Sequence, residues 1–126
     1  MSSVRIYVPD LDTLSHGEAR VFRFRRRARA VEGFVLRVDA ALVAYANVCP
    51  HWSVDLDMGV GRFWDPESQR IFCMNHAALF DPKTGVCERG PCLGDALEPF
   101  ELKPEGSGAW VTVPDAELDP VSDPHP

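Results

Sequence analysis

At 126 residues the chain has room for one domain with a modest core, and its 45% hydrophobic and 25% charged content is that of a folded globular protein. A formal net charge of −6 and a pI near 5.1 argue against nucleic acid as a partner. No apolar run approaches the roughly 20 residues of a membrane span, and the first ten residues hold no leader-like apolar core, so a cytoplasmic protein is expected.

In chain order, Val4-Arg5-Ile6-Tyr7-Val8 alternates polar and apolar residues and stops at Pro9, as a first strand does. Residues 10–19 read as a loop with the hint of a helical turn, and His16 within it stands alone, as a solvated histidine does. Residues 20–30 carry six arginines: Arg20, Arg23, Arg25, Arg26, Arg27 and Arg29. The interleaved apolar residues fit a strand with Phe22 and Phe24 inward and Arg23 and Arg25 outward. Such a run reads first as a solvated face balancing an acidic remainder. A docking patch for an acidic redox partner is the functional alternative.

Gly33-Phe34-Val35-Leu36-Arg37-Val38 and residues 41–47 read as a hairpin joined through Asp39-Ala40. Residues 59–69, with glycines, an Asp-Pro pair and Ser68, read as a surface turn ahead of a strand over 69–72. Residues 97–103 and 109–113, parted by Glu105-Gly-Ser-Gly, complete the strands. Many short strands without helical periodicity predict an all-β fold of small antiparallel sheets. Residues 1–114 are expected to form the single domain. The acidic, proline-rich stretch 115–126 is expected to be a flexible tail, with no role for His125.

Two stretches concentrate metal-ligand chemistry: Cys49-Pro50-His51 and Cys73-Met74-Asn75-His76. Each offers one thiol and one imidazole from a tight loop, and the two loops face to face make a Cys2His2 site. The ligand types alone leave three readings open. A tetrahedral zinc site uses the same four groups without redox activity. A disulfide scaffold accounts for the cysteines but not for the paired histidines. The third reading is an iron–sulfur cluster. Cys87 and Cys92 stand apart, as small buried hydrophobes or as a local bridge across 88–91, and reduced thiols are expected in a cytoplasmic chain.

The flanks favour the cluster. After His76 the chain reads Ala-Ala-Leu-Phe-Asp-Pro-Lys-Thr-Gly-Val-Cys-Glu-Arg-Gly-Pro-Cys, which resembles the stretch following the second ligand loop of Rieske-type [2Fe–2S] ferredoxins. Residues 42–48 resemble the strand that delivers the first loop, and the likeness covers roughly residues 30–113. It implies a Rieske-like domain with two cluster-binding loops, Cys49 and Cys73 on the inner iron, and His51 and His76 on the outer one. By the same likeness, Trp52 and the Gly90-Pro91 loop shield the cluster. Two departures stand out: Ala77 replaces the usual glycine, and the 21-residue spacer 52–72 is longer than usual.

The resemblance implies a monomeric one-electron carrier, passing electrons from a flavin reductase to a terminal oxygenase or similar oxidoreductase. The chain ends about 50 residues after His76 with only His125 beyond it, so the two-histidine-one-carboxylate iron site of a catalytic subunit is not expected. No glycine-rich dinucleotide motif is present either. The other reading is a zinc- or cluster-stabilised non-catalytic subunit or interaction module of a larger complex. A low potential is implied as well. In respiratory Rieske proteins a disulfide ties the ligand loops, and hydroxyls bond the cluster sulfurs. The matching positions here are Val54 and Asn75, and Ala78 and Phe80.

Overall fold

The computed structural model describes residues 2–50, 54–74 and 77–119. Strand β1 (Ser3–Val8) is followed by a 3-10 turn over Leu11–Thr13, then β2 (Ala19–Arg26), β3 (Arg29–Val38) and β4 (Ala41–Ala46). After the first motif come β5 (Trp64–Asp65), β6 (Arg70–Cys73), β7 (Ala78–Phe80) and β8 (Cys87–Arg89). The chain closes with β9 (Glu101–Glu105), β10 (Gly108–Pro114) and β11 (Glu117–Leu118). They form three antiparallel sheets, ordered β1-β10-β9, β11-β2-β3-β4 and β5-β6-β7-β8. The all-β expectation holds.

The middle sheet organises the other two because β3 is apolar on both faces. Gly33 to Leu36 are all buried, where a half-exposed strand would alternate. Side chains two apart share a face, so Phe34, Leu36 and Val38 join one core cluster while Val35 joins the other. In β4, Tyr45 goes to the first cluster, Ala44 and Ala46 to the second. The second cluster pairs Phe22 and Phe24 with Ile6, Val8, Val111 and Val113 of the β1–β10 sheet. The first faces the β5–β8 sheet and contains all four cysteines.

The arginine strand follows the expected pattern, with Phe22 and Phe24 buried and Arg23 exposed. Its charges are largely met within the chain. Arg23 pairs with Glu32 at 3.2 Å, Arg26 with Glu98 at 2.9 Å, and Arg25 donates to the Ala28 carbonyl at 2.7 Å.

Three expectations need correction. Residues 59–69 are more than a surface turn: Phe63 and Trp64 are buried, and Phe63 stacks on Phe34 at 4.1 Å and 11°. Burying two large rings outweighs the glycine-rich composition around them. His16 is not merely solvated. Its Nε2 lies 2.7 Å from Gln69 Oε1, its Nδ1 accepts from the Asp39 amide at 2.9 Å, and its ring meets Trp64 edge-on. The tail expected over 115–126 begins as structure: Ala116 and Asp119 are buried, and β11 pairs with β2. That pairing occupies the open edge of β2, which would otherwise expose unpaired backbone groups. Residues 120–126, with His125, lie outside the described residues.

Candidate metal centre

The first motif leaves β4 through Asn47, a fully buried amide whose side chain is hydrogen-bonded at both ends. Its Oδ1 accepts from the Leu56 amide at 2.8 Å, and its Nδ2 donates to Asp57 at 3.0 Å and to Glu32 at 3.2 Å. Asp57 in turn accepts from the amides of Gly59 and Gly61 at 3.2 and 2.9 Å. These bonds hold the chain on the far side of the first loop against its near side. The Cys49 amide donates to the Val54 carbonyl at 2.8 Å and closes the loop itself. Every donor in this buried set has an acceptor, the condition under which polar groups rigidify a core instead of weakening it.

The second motif leaves β6 at Cys73, opposite Ala78 of β7. The Ala77 amide donates to the Cys73 carbonyl at 2.8 Å, and Ala77 takes a left-handed φ of 55°. That conformation suits glycine best, so alanine here is strained but accommodated. Among the described residues one bond latches the two loops together: the Met74 amide donates to the Leu56 carbonyl at 2.8 Å. Cys49 and Cys73 are both 0% exposed and share one apolar cluster with Leu56, Phe80 and Leu97. Two thiols buried on latched loops suit a metal group. A thiolate would be costly in this apolar setting, and a bound cation supplies the missing countercharge.

A third segment closes against these loops. Gly90, at φ 109°, lies against Ala78, and a Cβ there would sit 2.9 Å from the Ala78 Cα. Beyond it Cys92 turns inward to Cys87, their sulfurs 2.7 Å apart, and no disulfide joins any of the four cysteines. Burial, with Cys87 and then Cys49 nearby, pushes the Cys92 thiol up to about 12. Each segment also presents an exposed apolar side chain: Val54 after the first motif, Met74 within the second and Leu93 beside Cys92.

Of the four expected ligands, Cys49 and Cys73 both lie in one buried cluster. His51 and His76 lie outside the described residues, as do Trp52 and Asn75. The Asn47–Asp57 brace was missed in the sequence, where an Asn two residues before the first motif's cysteine and an Asp in a Gly-flanked loop gave the only signal. Glu32, Asp55 and Asp57 bring three carboxylates within 4.8 Å of one another. Asp57 is committed to bracing the loop, and burial followed by the charges of Glu32 and Asp57 raises the Asp55 pKa.

The model of the Rieske [2Fe–2S] domain family matches residues 6–103. Among solved structures, the ferredoxin of carbazole 1,9a-dioxygenase from Nocardioides aromaticivorans IC177 is similar: 29% identity, TM-score 0.64, covering 85% of this chain and 95% of that one. A complex of reduced oxygenase and oxidized ferredoxin of carbazole 1,9a-dioxygenase matches at 23% identity and TM-score 0.66, over 91% and 97% of the two chains. A reduced oxygenase–ferredoxin complex matches at 18% identity and TM-score 0.69, over 93% of this chain and 30% of that one. The last two speak to the fold alone. None of the curated proteins compared matches the chain.

Proposed function

The chain belongs to the Rieske [2Fe–2S] domain family, and from that premise we propose that it carries single electrons from a reductase to a terminal oxygenase or similar oxidoreductase. The similar ferredoxin from Nocardioides aromaticivorans belongs to a dioxygenase system, which supports that placement. The group such a domain binds supplies one reversible electron, and the chain itself performs no catalysis.

The ligand set we assign is Cys49 and Cys73 on the inner iron, with His51 and His76 on the outer. The observation that carries it is the pair of fully buried cysteines on loops joined by the Met74–Leu56 bond. In this arrangement the two cysteines hold negative charge where water is excluded. The two histidines, neutral ligands, raise the potential relative to four thiolates. The Asn47–Asp57 brace and the Gly90–Ala78 contact keep the loops from opening to solvent. A cytoplasmic location is part of the same proposal. Among the described residues no helix is long and apolar enough to cross a membrane.

An absorption spectrum of the purified protein tests the reading. A red-brown protein with visible bands, whose low-temperature electron paramagnetic resonance appears on one-electron reduction, is the expected result. A colourless protein holding one zinc per chain would refute it.

A further inference from the structure

Cys87 and Cys92 are outside the proposed ligand set, and each is only 1% exposed. Four residues separate them, and the backbone folds that segment back on itself. The Cys87 amide donates to the Asp95 carbonyl at 2.7 Å, the Leu93 amide to Gly90 at 3.2 Å, and the Asp95 amide to Cys92 at 2.8 Å. This closure sets the sulfurs 2.7 Å apart, with Cys92 donating to Cys87 and Cys87 donating to the Arg89 carbonyl at 3.3 Å. Two cysteines can bridge only when the backbone already brings them together, and here the loop does so.

The pair is buried but close to the surface. Gly90, Pro91, Leu93, Gly94 and Asp95 are exposed, and β8 is an edge strand of its sheet. Local opening at this edge is the route by which a small disulfide would reach the thiols. On its inner side the loop touches the candidate metal centre. Gly90 rests on Ala78, two residues after His76, and Cys92 shares a core cluster with Cys49 and Cys73.

We propose that Cys87 and Cys92 are a second redox couple, a dithiol that closes to a disulfide and staples the 87–95 loop against the metal centre. Closure breaks two S–H bonds and forms one S–S bond. The two electrons and two protons pass to a low-molecular-weight disulfide such as oxidised glutathione, which leaves as two thiols. One thiolate of the pair attacks the glutathione disulfide, forming a mixed disulfide and releasing one glutathione thiol, and the other cysteine then displaces the second glutathione thiol. The effect on cluster retention rests on the ligand assignment above, whereas the disulfide itself does not.

The test uses the full chain with its cluster. The protein is incubated anaerobically with oxidised glutathione, then denatured and alkylated, and its cysteines are mapped by mass spectrometry. The expected map has Cys49 and Cys73 alkylated and the Cys87–Cys92 peptide unalkylated and lighter by two hydrogens. In Cys92→Ser, Cys87 is recovered unbridged. With a chelator present, visible absorbance of the stapled protein should decay roughly tenfold more slowly than that of the reduced protein, somewhat less than the full chain-entropy effect of so short a loop. In the double variant Cys87→Ser/Cys92→Ser, glutathione should leave the decay unchanged. Alkylation of all four thiols, or a bridge from either cysteine to Cys49 or Cys73, would overturn the couple. A disulfide that leaves the decay rate untouched would overturn the staple. If the purified protein is colourless, the cluster reading fails while the thiol map still decides the disulfide.

Discussion

Two glycines in the 90–94 loop share a backbone handedness but not a neighbourhood, and that difference predicts how each tolerates a methyl group. Gly90 has φ 109° and Gly94 φ 92°, both in the region where L-residues are strained. A Cβ on Gly94 meets nothing within 4 Å, whereas one on Gly90 lies 2.9 Å from the Ala78 Cα and 3.0 Å from its Cβ. Gly94→Ala therefore bears only the backbone term, about 1–2 kcal/mol. Gly90→Ala adds an overpacking term of about 1–3 kcal/mol, since the atoms it strikes belong to a buried strand and cannot swing aside. At roughly 2 cal/mol/K of unfolding entropy per residue, each kcal/mol lowers Tm by about 4 °C in a chain this size. Gly94→Ala should melt about 4–8 °C below the wild type and Gly90→Ala about 8–20 °C below it. Thermal melts by far-ultraviolet circular dichroism, with visible absorbance followed alongside, measure both. Gly90→Ala should also release its colour to a chelator faster than Gly94→Ala, because Ala78 follows the second motif so closely. Equal melting temperatures and equal colour loss would show that the contact with Ala78 bears no weight.

Cys49→Ser and His76→Ala should each abolish or destabilise the visible spectrum. His125→Ala should not, and bleaching by it would refute the ligand set. His16→Ala should keep the colour yet lose about 1–2 kcal/mol in denaturant unfolding, because the Asp39 amide and Gln69 lose their partner. Voltammetry at neutral pH should place the midpoint below zero, at the low end of the roughly −150 to +300 mV Rieske span, because Ala78 and Phe80 are buried and carry no hydroxyl. A midpoint above ~+100 mV would refute that hydrogen-bond reasoning. Asp55 supplies a pH test. Its folded pKa is raised above 3.8, so the stability it contributes is present below that value and lost as pH rises through the raised one. Asp55→Asn should thus stabilise the protein at neutral pH and lose that advantage on acidification, as denaturant midpoints across pH would show. An advantage independent of pH would mean the carboxylate charge is not the cause.

The strands and the two cysteine motifs could be read because their signals are local. Alternation marks Phe22 and Phe24, and C-x-H marks Cys49 whatever surrounds it. The contributions of Phe63, Trp64 and His16 were not legible, because each depends on a partner distant in sequence: Phe34 beneath Phe63, and Asp39 and Gln69 around His16. Composition misled at the C-terminal end, where acidic residues and prolines suggested a tail although Ala116 and β11 had a waiting sheet edge. Local propensity is a weak prior wherever tertiary pairing supplies the missing hydrogen bonds.

The chain leaves the middle sheet after Ala46 and returns beside it, the Ala46 amide donating to the Glu98 carbonyl at 2.9 Å and the Phe100 amide to Ala44 at 2.9 Å. Everything between, including both motifs and the β5–β8 sheet, is thus a cassette whose two ends are neighbours. The remaining base has its own core, from Ile6 and Phe24 to Val111 and Val113. A base closed behind the cassette is expected to fold without iron, which would make loading or losing the metal a local event. Such a chain can wait, folded and protease-resistant at its base, for cluster delivery. Amide exchange in the metal-free protein should then be fast through β6 to β8 and slow in β1 and β10, two separate stabilities within one short polypeptide.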